Sequence, residues 1–186
     1  MLDILARRAG NDAVRADYHL YRALRLFNSG RPADALRQVD SLGGTELVRE
    51  TAYVTATTWF DADSASGAAA AARLIALTAR PLPDSGPARR ELLSATCALA
   101  LWRLARGDAS GAPAGAARLR AVHTLPGDHA RLARNAALCA DVIEAGAATL
   151  ARRPDALRLV ERVDSVVRRG PRAFNDQWQP PFENLV

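Results

Sequence analysis

Apolar residues recur along this chain at the three- and four-residue steps of helices that bury one face. Between Asp12 and Ser29, Val14, Tyr18, Tyr21 and Leu24 keep this spacing. Leu93, Cys97, Ala100 and Leu104 repeat it within 87–106, and Leu132, Ala136, Cys139, Ile143, Ala147 and Leu150 carry it through 129–151. Such a stripe predicts an amphipathic helix with one dry face. The segment 46–61 contains TAYVTATTWF, rich in β-branched residues that lose side-chain freedom in a helix. Its helical assignment rests on its neighbours.

Each of these helices is expected to pair with a second, shorter one. YRALRLFNSGRPADALRQVDSL, Tyr21 to Leu42, reads as a helix, a tight turn at Asn28-Ser29-Gly30, and another helix. Gly30, Gly43-Gly44 and Gly107 can take the left-handed backbone that ends helices. Pro32, Pro87 and Pro154 fit first turns, where a missing N–H costs nothing. Thr45 and Asn11 are expected N-caps, their side-chain oxygens accepting from orphan amides. Longer breaks fall at 80–86, RPLPDSG, and at 170–181.

The second helices resemble one another. RPADALRQVDSL (31–42) and RPDALRLVERVDSV (153–166) share Asp-Ala-Leu-Arg-x-Val, and AARLIAL (71–77) returns as AARLRAV (116–122), 45 positions on. A period of 30–50 residues is the mark of stacked units. Four helical hairpins follow, at about 12–43, 45–80, 87–123 and 128–170. The fold class is all-α: a solenoid of about four hairpins in one domain, 1–186, with 171–186 a loop and the start of another helix. A hairpin cannot bury its apolar face alone, so neighbours must supply the core.

Composition agrees with a folded helical chain. Of 186 residues 49% are hydrophobic, only 5% aromatic and 24% charged. The net charge is +5, and all 25 basic residues are arginine. That skew reads as compositional bias of the coding sequence more than as a surface built for nucleic acid. Arg103, Arg106, Arg118, Arg120, Arg131 and Arg134 form a local excess, but no aromatic platform or recognised motif accompanies it. The longest relevant uncharged run, Leu92–Trp102, is too short to span a membrane. MLDILARRAG has its basic pair after the apolar part, the reverse of a secretory signal.

At the hairpin turns the residues resemble a known family. Leu101-Trp-Arg-Leu-Ala-Arg-Gly-Asp108 followed by an alanine-rich helix, and Phe27-Asn-Ser-Gly-Arg-Pro-Ala-Asp-Ala-Leu36, resemble the tetratricopeptide repeat around the turn between its helices. CALALWRLARGD and ALCADVIEAGAATLARRPDALRLVERVDSVVRRGP resemble C-terminal repeat regions of large multidomain bacterial regulators. Those regions follow kinase, adenylate-cyclase or transcription-activator domains. The resemblance implies a scaffold or sensor module without the catalytic domain. This chain has no Gly-rich phosphate loop and no kinase catalytic loop. PPFENLV reads as the start of a fifth helix cut short, which implies a chain completed by further sequence or by a partner.

The candidate residues are few. His19, His123 and His129 share no zinc-like spacing with one another, with cysteine or with a carboxylate, so no metal or other cofactor is expected. No nucleophile, base and orienting group come together in a motif, so no catalytic residue is expected. Cys97 and Cys139 lie on the stripes of successive first helices. The ordinary reading is two buried free thiols in a cytoplasmic protein. The alternative is a disulfide, which needs Cα atoms within roughly 7 Å and would imply an extracytoplasmic setting. Trp59, Trp102, Trp178, Tyr18 and Tyr21 belong either to the core or to a peptide groove, and Trp178 sits in a Pro-rich loop. The leading expectation is a non-catalytic module that binds an acidic protein or peptide through Arg22, Arg25, Arg103, Arg134 and Trp178. The alternatives are a ligand-sensing domain that controls a fused effector, and a spacer or dimerisation arm that joins copies through the C-terminal end.

Overall fold

The structure, a computed structural model, describes residues 22, 23, 25–27, 29–41, 45–59, 64–84, 86–123, 125 and 132–169. After the helical residues 22, 23 and 25–27 come α1 (Pro32–Asp40), α2 (Glu46–Trp59), α3 (Ser64–Thr78), α4 (Gly86–Ala105), α5 (Ala112–Arg120), α6 (Leu132–Leu150) and α7 (Ala156–Arg169). No strand occurs among the described residues. The protein is all-α. The chain divides into two compact units, Met1–Ala79 and Arg80–Val186, where the sequence reading drew one domain. The division falls at the start of RPLPDSG.

Three hairpin turns use one device. Gly30 N–H donates to Phe27 O and Arg31 N–H to Leu26 O; Gly107 N–H donates to Leu104 O and Asp108 N–H to Arg103 O. Arg152 and Arg153 donate in the same way to Thr149 O and Ala148 O. This pair of bonds is the Schellman motif, which satisfies carbonyls that the helix end leaves open. It needs a left-handed residue, found here at Gly30 (φ 68°), Gly107 (φ 78°) and Arg152 (φ 51°). The first two match the sequence reading. The third falls at the Arg152-Arg153 turn that the sequence also marks, where a non-glycine residue carries a steric cost. Pro32 opens α1 and Pro87 is the second residue of α4, while Pro154 lies in the turn two residues before α7. Gly43, Gly44 and Asn11 lie outside the described residues.

The β-branched helix α2 forms as context suggested. Thr45 Oγ1 accepts from Val48 N–H at 3.4 Å and caps its start. Within it, the hydroxyls of Thr51, Thr57 and Thr58 donate back to carbonyls one turn earlier. In the N-terminal unit α2 packs on α1 and on α3. Ala23, Phe27, Ala35, Val39 and Ala56 form one core there, flanked by Leu36, Val48, Ala52 and Tyr53. Tyr53 Oη donates to Asp40 Oδ1 at 2.7 Å, and burial, with this bond adding to it, pushes the phenol up to about 12. Glu50 is 1% exposed and pairs with Arg49 at 3.1 Å and Arg73 at 2.7 Å. A buried carboxylate without such partners would cost several kcal/mol. The repeated heptapeptides serve the same end in each unit: Ala71, Leu74 and Leu77 are buried in one, and Ala116, Leu119 and Val122 in the other.

In the C-terminal unit α4 packs on α5 and α6, α5 also on α6, and α7 on α6. Leu93, Cys97, Ala100 and Leu104 are buried, as the stripe predicts, and so are Leu92, Ala95, Thr96, Leu99 and Leu101, so α4 is covered on more than one face. Leu132, Ala136, Cys139 and Ile143 are also buried, but Leu150 is 44% exposed and departs from the expected stripe. Arg89, 6% exposed, donates to Pro83 O at 3.0 Å and to His123 O at 3.1 Å, tying two connections to α4.

Two outcomes test this packing. Thr57 Oγ1 is fixed by its bonds to the Tyr53 and Val54 carbonyls, and a Cβ at Gly67 would lie inside its side chain. Gly67→Ala should therefore cost about 2–3 kcal/mol in urea unfolding, where a change under 0.5 kcal/mol would show that α2 and α3 do not approach so closely. Arg152→Gly should add about 1 kcal/mol in the same assay, because it removes the strain of a left-handed side-chain residue.

Candidate functional site

Cys97 and Cys139 meet. Their Sγ atoms are bonded at 1.95 Å and their Cα atoms are 6.2 Å apart, within the 7 Å requirement. The expectation of two free thiols is therefore corrected; its premise, burial, holds, with Cys97 4% and Cys139 0% exposed. The thiols meet because the two stripes face each other across the α4–α6 seam. A second contact fixes the direction of that seam: a Cβ at Gly146 would lie 3.1 Å from Leu104 Cδ1. Leu104 and Gly146 are each seven residues beyond their cysteine. Both contacts thus step forward together, so α4 and α6 run parallel and in register. Glycine at 146 and alanine at 100, which lies 3.6 Å from a Cβ built at Gly115, let the helices of this unit come close.

The four arginines proposed for an acidic partner have different fates. Arg22 and Arg25 lie three residues apart on one helical face, both exposed. Arg134 is exposed in the first turn of α6. Arg103 is spent locally: its guanidinium lies over Gly111, 2.5 Å from where a Cβ would sit, and 3.8 Å from Asp108. Arg22 and Arg25 belong to one compact unit, and Arg103 and Arg134 to the other. Trp178, Tyr18, Tyr21, His19 and His129 lie outside the described residues. Among the described residues no cluster of His, Cys, Asp or Glu has the make-up to hold a metal ion.

The local arginine excess is largely taken up by packing. Arg106 stacks 4.1 Å over the Trp102 ring, and Arg118 donates to Arg80 O at 2.6 Å. Arg120 reaches from α5 to Asp141 at 2.7 Å and Glu144 at 2.6 Å on α6. Arg162 of α7 meets the same carboxylates at 3.4 and 3.3 Å. One acidic pair on α6 thus joins the helices on either side. The hydrogen bond from Arg120, with the charge of Arg162 adding to it, holds the Glu144 carboxyl below the usual range. No sequence rule signals this network, because its four members lie on three helices.

The cystine closes a loop with a sequence separation of 42. Chain entropy then assigns it about 4 kcal/mol of stability. Cys97→Ser/Cys139→Ser, or reduction after unfolding, should lower unfolding free energy by about that much; no loss would mean that the thiols are free in solution. Glu144 carries a smaller, pH-dependent share. Its folded pKa is lowered, so its contribution is complete above the ordinary value of 4.5 and is lost as pH falls through the lowered value. With partners half exposed, Glu144→Gln should cost about 0.5–1 kcal/mol at pH 7 and less at pH 3. An equal cost at both pH values would show that the charge pairing contributes nothing.

The chain matches no protein-family model, no curated protein and no solved structure.

Proposed function

We propose that this chain is a non-catalytic helical-repeat module of the tetratricopeptide type, which holds an acidic protein or peptide against the exposed faces of its first helices. The observation that carries the reading is the recurrence of one hairpin: the same Schellman turn at Gly30, Gly107 and Arg152, with α4 and α6 parallel and in register. Parallel first helices offer a row of equivalent surface positions, and an extended or helical segment can lie across them. Each unit is read by itself: Arg25 in the N-terminal unit and Arg134 in the C-terminal unit are exposed donors suited to carboxylates, while Arg103 braces its own turn. No helix of the described residues is long and apolar enough to cross a membrane. The scaffold role in a larger bacterial regulator rests on the sequence resemblance alone.

The cystine also shifts the expected compartment from the cytoplasm to an oxidising one, since buried disulfides persist where thiols are not kept reduced. Protein isolated without reductant and denatured in guanidinium should then show no free thiol; two thiols per chain would return the module to a reducing compartment.

The binding reading is tested by anisotropy with fluorescent peptides of defined charge. Acidic peptides should bind, basic ones should not, and affinity should fall as salt rises from 50 to about 300 mM, where exposed charges are screened. Arg25→Glu and Arg134→Glu should each weaken binding about tenfold with the helical circular dichroism unchanged. Binding that ignores both peptide charge and these substitutions would remove the proposal.

A further inference from the structure

Two segments of the chain carry the same sequence and meet different surroundings. Asp34–Val39, on α1, and Asp155–Val160, at the start of α7, both read Asp-Ala-Leu-Arg-x-Val. Their local chemistry also matches: Asp34 pairs with Arg31, and Asp155 with Arg153 at 2.6 Å. On α1, Leu36 is partly buried and Val39 is 0% exposed. Both share one core with Ala23, Leu26 and Phe27 and with Val48, Ala52, Tyr53 and Ala56 of α2, the helix that follows α1. On α7 the equivalent Leu157 is 69% exposed and Val160 is 45% exposed. The opposite side of α7 is dry, with Leu159 buried and Ala156 and Val163 packed on Ala145 and Ala148 of α6. Thus α7 has one satisfied face and one apolar face that its own counterpart keeps covered.

α5 gives the same answer independently. Aligned from the first residues of α5 and α7, Ala112 and Ala156, its Ala116 corresponds to Val160. Ala116 is 5% exposed and Val160 45%. There too the helix that follows, α6, lies against α5 and bonds to its Arg120. In both cases the position that α7 leaves open is buried, in a helix against which the next helix along the chain packs.

The size of the face decides what fits it. Leu157 and Val160 together expose roughly 200 Å², well short of the ~800 Å² per partner of a stable two-chain interface. A tethered segment does not lose the translational freedom that association costs, so a face of this size suffices for it. Beyond α7 the chain carries Phe174, Trp178, Phe182 and Leu185. Trp178 lies nine positions beyond Arg169, a reach of about 30 Å, against about 21 Å for the length of α7. On α1, the covering side chain that adds a polar bond is Tyr53, which donates to Asp40. The equivalent of Asp40 on α7 is Glu161, and an indole N–H can donate as a phenol does.

We propose that the outward face of α7, formed by Leu157 and Val160, is the docking site of this chain's own segment 174–186, with Trp178 in the role that Tyr53 plays on α1. The segment closes the last hairpin as α2 closes the first. This inference stands apart from the partner-binding proposal: it concerns the end of the helical stack and not the arginine-bearing faces.

The test uses the full chain labelled with 5-fluorotryptophan, whose three indoles give separate fluorine resonances, that of Trp178 assigned by Trp178→Phe. In the unsubstituted chain the Trp178 resonance should differ from free 5-fluorotryptophan. Val160→Glu should move it to the free position and leave that of Trp102, in α4, in place. A Trp178 resonance at the free position from the outset, or unmoved by Val160→Glu, overturns the proposal. Trp178→Ala/Phe182→Ala supplies the reciprocal measurement without touching α7. Amide exchange over 157–166 should speed up about tenfold, with α6 unchanged; unaltered exchange overturns the proposal. Protection of α7 that rises with protein concentration, together with a dimer mass in light scattering, would give the face to a second copy and also overturn it.

Discussion

The C-terminal unit depends on the close, parallel contact between α4 and α6. Two helices that run in the same direction cannot be joined by a short turn, so α5 must bridge them, and the hairpin pattern follows. The contact needs small side chains, supplied by Gly146 opposite Leu104 and by the alanines along both helices. It is then fixed covalently by Cys97 and Cys139. With that seam in place, α5 lies against both helices and α7 packs on α6. The difference leaves one helix of the unit with an apolar face turned outward.

Charge plays a subordinate and mostly structural part. An arginine-only basic set of 25 invites a reading in terms of an anionic partner. The folded arrangement directs many of these side chains inward or sideways instead. Arg89 holds two connections, Arg73 and Arg49 neutralise the buried Glu50, Arg106 covers Trp102, and Arg120 and Arg162 clasp one pair of acids. Guanidinium suits these roles, since its planar array of donors can satisfy carbonyls and carboxylates at once and is weakly hydrated. Other arginines, among them Arg25 and Arg134, are exposed.

Turn chemistry links the repeats more tightly than sequence identity does. Gly30 and Gly107 announce their turns, while Arg152 makes the same turn with a side chain in a left-handed conformation. The hydrogen bonds are the same in all three, so the geometry of the hairpin is set by the need to satisfy helix-end carbonyls. The residue at the turn then alters only the cost.

Periodicity alone determined the helices of this protein. The stripes at Leu93–Leu104 and Leu132–Ile143, the glycine and proline punctuation and the paired heptapeptides specify all-α hairpins, because amphipathic spacing and helix termination are local properties. Even α2, with its poor helix formers, followed from its neighbours. Tertiary structure alone decided which stripes touch. Whether Cys97 and Cys139 were free or bonded turned on the direction and register of α4 against α6, which no local pattern encodes. The fate of Arg103, the clasp around Glu144, the strained Arg152 and the unequal burial of Val39 and Val160 are of the same kind. Each depends on what a neighbouring helix brings to the same point in space, and sequence spacing does not carry that information across a turn.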